Sequence, residues 1–322
     1  MLPTVHRGKD RFVSTSSAKS IEPSSNAVIN SPIRGITLMF ISTFFFAAMH
    51  VVIRHLTDHL HPFEVAFFRN FFGLIFVIPW FIRFGLEPLR TNHLKLHVYR
   101  SLVNVVAMFS FFYAVSITPL AEVTALGFAA PIFTTVLAAL VLGEVVRLRR
   151  WTAVIVGFLG TLIILRPGFN DIGLGQLLVL NSTIFWAVAL LLIKTIGRHD
   201  SSITIITYMS LLQLPLSLIP ALFVWTWPSW DLLPWLLAIG LLGGGAQWLM
   251  TESLRVADTS VVMPIDFCKL PWTALLAYLA FAQVPDSFVW IGGAVIFGSA
   301  LYIAYREQQV KKEHPENSAD QT

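Results

Sequence analysis

From residue 35 to residue 305 the chain is a succession of continuously apolar runs separated by brief polar breaks. A run of roughly 20 apolar residues is long enough to cross a hydrocarbon layer of about 30 Å as a helix. The pattern predicts ten such helices, at 35–56, 64–84, 97–116, 120–142, 150–166, 173–194, 202–223, 233–251, 260–282 and 287–305. The breaks carry turn formers or charges: His61-Pro62, Thr118-Pro119, Arg147 to Arg150, Arg166-Pro167-Gly168, Gly197 to Asp200, Trp227-Pro228 and Pro285-Asp286. Apolar residues do not alternate with polar ones within the runs, so the segments read as helices rather than barrel strands. The expected fold class is an all-α membrane protein of ten transmembrane helices.

Composition narrows this reading. Of 322 residues 56% are hydrophobic and 12% charged, with 26 Phe and 10 Trp. That excludes a soluble domain, a disordered chain and a coiled coil. Cys268 is the one cysteine, so no internal disulfide and no cysteine metal cluster is available. The formal charge of +4 is spread along the chain, which argues against a nucleic-acid partner. Residues 1–34 are polar, with seven serines, and hold no apolar core of a signal peptide. They are expected to be a disordered cytoplasmic tail, and 306–322 a second one. With both tails inside, 18 of the 22 Lys and Arg fall on the inner side and Arg166 alone on the outer. This split predicts cytoplasmic N- and C-termini.

Residues 113–166 and 252–305 match at a displacement of 139 positions. Val123 aligns with Val262, Phe128 with Phe267, Thr134 with Thr273, Trp151 with Trp290 and Phe158 with Phe297. Each half then holds five spans, over 35–166 and 167–305. Five is odd, so the second copy enters the membrane upside down. The expected architecture is two inverted five-helix repeats, with a site near the midplane between them.

Several features in order carry a family resemblance: Glu64 to Asn70 opening the second run, Ala121 and Pro131 in the fourth, Gly143-Glu144 at its end, Gly157 and Gly160 in the fifth, Pro264 and Pro271 in the ninth, and Trp290-Ile291-Gly292-Gly293 opening the tenth. In these the chain resembles the drug/metabolite transporter superfamily, specifically its ten-helix EamA-type members. Gln283 stands where a repeat of Gly143-Glu144 would put Glu, so any role of that acid is not duplicated. The stretch LHPFEVAFFRN is most similar to bacterial importers of ring-bearing metabolites, including riboflavin and S-adenosylmethionine transporters.

Charges at bilayer depth need a partner or a wet cavity. Lys269 lies mid-run with Asp266 three residues before it, one turn away on the same face. The pair reads as a substrate or coupling site, against a permanent pair that only fixes packing. His50 relays protons or bonds a ring substrate, or is a neutral core histidine. Gln247, which follows Gly243-Gly244-Gly245, and Asn181 are further site candidates. Trp186 and Trp272 are candidates for stacking on a flat substrate, although packing is the commoner role of such residues. Glu64, Arg69 and Glu122 lie toward the outer side and suggest a gate, with Arg69 paired to Glu122. Arg100 and Asn104 share a face at the inner end of the third run. Phosphate or carboxylate capture is one reading there, and an interfacial arginine snorkelling to water is the favoured one.

No metal-binding His-Glu-x-x-His helix, nucleophile elbow or phosphate-binding loop is present, which argues against an enzyme and against direct use of ATP. No cofactor is expected. Together with the resemblance, these features imply an inner-membrane secondary carrier of a small organic metabolite working by alternating access, as a monomer or homodimer in the lipid bilayer. Riboflavin uptake ranks first, S-adenosylmethionine second and export of amino acids or drugs third. Proton coupling through Asp266, Glu122 or His50 is a further expectation.

Overall fold

The computed structural model describes residues 32–130, 132, 133, 136, 137, 148–166, 172–197, 199–257 and 259–313. Residues 1–31 and 314–322, with Pro131, Gly143-Glu144, Arg147, Pro167-Gly168 and Arg198, lie outside the described residues, whereas 32–34 and 306–313, expected in disordered tails, are helical. Eleven α-helices are described: α1 (Pro32–Thr57), α2 (Pro62–Phe84), α3 (Leu94–Ile117), α4 (Leu120–Gly127), α5 (Leu148–Leu165), α6 (Leu174–Ile196), α7 (Ser202–Leu222), α8 (Leu233–Val256), α9 (Thr259–Asp266), α10 (Lys269–Phe281) and α11 (Ser287–Glu313). No strand occurs among the described residues.

Six of these helices are long and apolar enough to cross a membrane: α1, α2, α3, α6, α7 and the segment Trp230–Val256 that contains α8. Shorter apolar stretches occupy Val154–Leu165 and Ser287–Ser299. The described helices overlap the apolar runs, but six rather than ten of them have the length and hydropathy of a span, and much of the fourth run lies outside the described residues. The runs that start at 120 and 260 are each interrupted, at turn residues 128–129 and 267–268. Pro271 explains the second interruption. It has no N–H to donate to the carbonyl of Phe267 four residues back, and its ring crowds that carbonyl. In the first half the sequence places Pro131 four residues after Gly127, the last residue of α4.

The 139-residue displacement recurs as geometry. The two interruptions correspond under it, and their rings touch: Phe128 and Phe267 lie 4.3 Å apart, and Phe267 lies 4.5 Å from Phe297. α5 and α11 also correspond, and they pack antiparallel. A Cβ on Gly157 would meet Ser299, and one on Gly160 would meet Ile296 and the Gly292 carbonyl. A Cβ on Gly292 would in turn meet Ile164. The corresponding pair α2 and α7 is antiparallel too: Asn70 bonds Ser217, while Gly73 faces Ser210. α1 packs along α8, and their counterparts α6 and α3 pack along each other.

Links between the two halves cluster at both ends. At the face where α1 begins, Asp200 Oδ2 accepts from Thr91 Oγ1 at 2.6 Å and lies 2.7 Å from His97 Nε2. There Tyr208 Oη also donates to the Leu89 carbonyl, and Ser253 Oγ to that of Gly35. At the opposite face the Leu120 N–H donates to Gln283 Oε1, Gln176 Nε2 donates to Glu122 Oε1, and Arg166 lies 2.6 Å from Asp286.

Candidate functional site

α1, α2, α3, α7 and α8 enclose a buried polar interior. α8 supplies its floor through Gly243, Gly244 and Gly245. A Cβ on Gly244 would lie 2.8 Å from Phe76, and one on Gly245 3.1 Å from Phe45, so these positions let neighbouring side chains rest on the helix. A Cβ on Gly243 would lie 3.0 Å from Arg69 Nε and 3.1 Å from Met49 Sδ. The missing side chain at 243 is therefore the space that the Arg69 guanidinium occupies.

Arg69 is buried, and its Nη1 donates to Asn70 Oδ1 at 3.1 Å. Asn70 Nδ2 donates to Ser217 Oγ at 3.2 Å and lies 3.7 Å from Met108 Sδ. Met209, Gln213 and Ser217 recur every fourth residue and form one face of α7. Arg100 has no exposed surface, and its Nη2 donates to Met209 Sδ at 3.5 Å, while Nε and Nη1 have no partner. Gln213 is fully buried, and neither its Nε2 nor its Oε1 has a partner. The favoured expectation for Arg100 is overturned here. It does not snorkel to an interface, because α7 and the first turns of α3 cover it and its guanidinium points at sulfur rather than water.

Next to this cluster, on the other side of α1, Lys269 Nζ lies 2.8 Å from Asp266 Oδ1 and 3.0 Å from Oδ2. The two residues flank the interruption between α9 and α10. Lys269 also sits 4.9 Å from the Phe46 ring centroid. His50, one turn along α1 from Phe46, packs 4.8 Å from Phe111 and leaves Nδ1 buried without a partner. Asn181 Nδ2 donates to Ser110 Oγ at 2.8 Å, beside Phe111. Gln247, one turn along α8 from Gly243, keeps an unpartnered Nε2. Trp272 meets Phe40 and Phe44 edge-on, with its indole N–H buried and unpartnered. Trp186 packs half-buried against the apolar core.

The structure thus gathers Arg69, Gln247, His50, Lys269, Asp266 and Asn181 around α1, α3 and α8. It does not gather Glu64 and Glu122 with them. Glu64 caps α2, accepting from the His61 N–H at 3.0 Å and from the Thr226 N–H at 2.7 Å, which ties the α7–α8 connection to the start of α2. Glu122 accepts from Gln176 at 3.1 Å. The pairing of Arg69 with Glu122 is therefore absent: Arg69 turns toward α8 and Asn70, and Glu122 toward α6. Sequence reading passed over Ser110 and Ser217 and took Asn70 only as the end of the Glu64 to Asn70 motif. The four-residue spacing of Met209, Gln213 and Ser217 is the signal that marks that face.

The EamA-like transporter family model matches this chain twice, over residues 33–166 and 173–305. A riboflavin transporter of Vibrio cholerae is 31% identical over 287 residues, covering 87% of this chain and 96% of the relative. An S-adenosylmethionine uptake transporter of Rickettsia bellii is 30% identical over 275 residues, covering 85% and 94%. A riboflavin transporter of Rhizobium johnstonii is 30% identical over 293 residues, covering 90% and 95%. A crystal structure at 19% identity superposes with a TM-score of 0.63 over 84% of this chain and 97% of its own, a likeness of fold alone.

Proposed function

Because the chain belongs to the EamA-like transporter family, and is a multi-pass membrane transporter rather than an enzyme, we propose that it is an inner-membrane secondary carrier of a ring-bearing metabolite that works by alternating access. The observation that carries this reading is the buried polar interior. Arg100, Gln213, Gln247 and His50 hold donors or acceptors that no protein group satisfies. Unmet buried polar groups are costly, and natural proteins keep them where a ligand or a changing conformation supplies the partner.

The architecture proposed is ten spans in two inverted five-helix repeats, 35–166 and 167–305, with both termini cytoplasmic. The antiparallel packing of the corresponding helices α5 and α11, and of α2 and α7, supports the inversion. Bonds between the halves at both faces fit an occluded state, which opens when one set breaks. On this reading Glu122 gates the outer face through Gln176 and Glu64 holds the outer loop. Arg69 belongs to the substrate chamber with Asp266, Lys269, His50, Gln247 and Asn181. Trp186 and Trp272 flank this chamber.

Riboflavin leads as substrate, supported by the relatives bearing that name at 31% and 30% identity. S-adenosylmethionine is the second reading, and a specific observation favours it: the two uncompensated arginines suit its carboxylate. Expression in a riboflavin auxotroph without its own importer tests the first. Growth on low external riboflavin is expected. Growth only when S-adenosylmethionine uptake is the selected trait moves the assignment to the second.

A further inference from the structure

Arg69 and Arg100 have no counter-charge among the described residues. The guanidinium groups of Arg69 and Arg100 are both buried. The neighbouring carboxylates are engaged elsewhere: Glu64 with Thr226, Asp200 with Thr91 and His97, Glu122 with Gln176, Glu252 with Arg255 and Asp266 with Lys269. No carboxylate among the described residues reaches either guanidinium. The thioethers of Met108 and Met209, which face the cluster, are weak acceptors and cannot neutralise a cation. A buried charge without a partner is strongly unfavourable, so a pair of like charges kept there points to an anion that is present during part of the cycle.

The free donors adjoin one face of α7. Arg100 keeps Nε and Nη1, and Gln213, one turn along α7 from the Met209 that Arg100 touches, keeps Nε2. Arg69 fills the gap at Gly243 and donates to Asn70, which in turn donates to Ser217, one turn along the same α7 face from Gln213. We infer that Arg69, Arg100 and Gln213 form an anion subsite that takes the carboxylate or phosphate of the transported metabolite. The inference rests on the carrier reading and deepens it by naming the substrate class: a ring-bearing metabolite with an anionic group. S-adenosylmethionine has such a group and riboflavin does not, so the subsite reverses the order that the relatives' names alone support. The strength of charge-assisted bonds to arginine makes this a matter of large factors rather than fine preference.

Equilibrium binding to the purified full-length protein, with two matched pairs of probes, tests this. One pair is riboflavin and riboflavin 5′-phosphate; the other is S-adenosylmethionine and its decarboxylated analogue. In at least one pair the anionic member is expected to bind roughly 10- to 100-fold more tightly than its twin. That preference is expected to vanish in Arg100→Gln, to survive in part in Arg100→Lys, and to be unchanged in Arg83→Gln, which alters an exposed arginine at the end of α2. Gln213→Leu, which keeps all charges, is expected to weaken the anionic member selectively, and it serves should Arg100→Gln fail to fold. Equal binding of both members in both pairs, no binding of any probe, or an undiminished preference in Arg100→Gln and Gln213→Leu overturns the subsite. Uptake by proteoliposomes separates this from the carrier reading. Transport without anion preference removes the subsite and leaves the carrier. Anion-selective binding without transport of any probe leaves the subsite and removes the carrier.

Discussion

Gly243→Ala isolates the placement of Arg69 from its charge. The new Cβ would stand 3.0 Å from Arg69 Nε and 3.1 Å from Met49 Sδ. Comfortable heavy-atom contact lies at about 3.5–4.0 Å, so the guanidinium must retreat by about 0.5 Å. Its bond to Asn70 Oδ1 already measures 3.1 Å. A further half ångström carries it beyond the hydrogen-bond range. A bond from a charged donor contributes about 1.5–3 kcal/mol, which corresponds to roughly 10- to 100-fold in affinity. Both atoms that must move are ends of flexible side chains, and alanine is the better helix former, so the fold itself should hold. Substrate titration of uptake in proteoliposomes, beside thermal unfolding of the same preparation, reads both quantities. The expected result is a loss of apparent affinity of that order with the unfolding temperature little changed. Wild-type affinity in a folded variant, or a collapse of stability, refutes the assignment of Gly243 to the placement of Arg69.

Three other outcomes follow from the same contacts. Gly160→Ala is expected to lower the unfolding temperature markedly, at a cost of about 1–3 kcal/mol, because its Cβ would lie 2.9 Å from the Gly292 carbonyl on the antiparallel helix; Gly298→Ala, with nothing within 4 Å, is expected to be near neutral. Asp266→Asn and Lys269→Gln are each expected to destabilise by about 1–3 kcal/mol, as a partly buried charge loses its partner. The double variant should regain stability without regaining transport, and full recovery of transport would make the pair purely structural. Cys268, half-buried at the interruption between the two residues of that pair, is the chain's single thiol and a native reporter. Glu122→Ala should speed its alkylation by an impermeant maleimide from the face opposite the termini, and an unchanged rate there would remove Glu122 from the gate.

How much of this was legible in the sequence varies by residue. The helices were, because a bilayer leaves the backbone no other way to satisfy its polar groups. The interruption after Asp266 was also legible, since Pro271 removes a specific donor, and so was the Asp266–Lys269 pair, since three residues separate its members. Pairings between distant helices were not. Arg69 offers its guanidinium to whatever α8 leaves open, and the glycine at 243 is what lets it turn away from Glu122. Arg100 looked interfacial because it lies six residues into α3. Its burial depends on how α7 crosses α3 and brings Met209 over it, which depends on packing between the halves and on no local pattern.

A carrier that alternately exposes one buried chamber to the two faces of the membrane exchanges substrate across it. Counterflow tests this exchange most directly. Purified protein in vesicles preloaded with unlabelled S-adenosylmethionine or riboflavin is given a trace of the labelled compound outside. Transient accumulation of chemically unchanged label above its equilibrium level is expected for one of the two compounds, lost on dissipating the internal pool. Label that enters no faster than in protein-free vesicles for both compounds, or that is recovered as a different molecule, contradicts it.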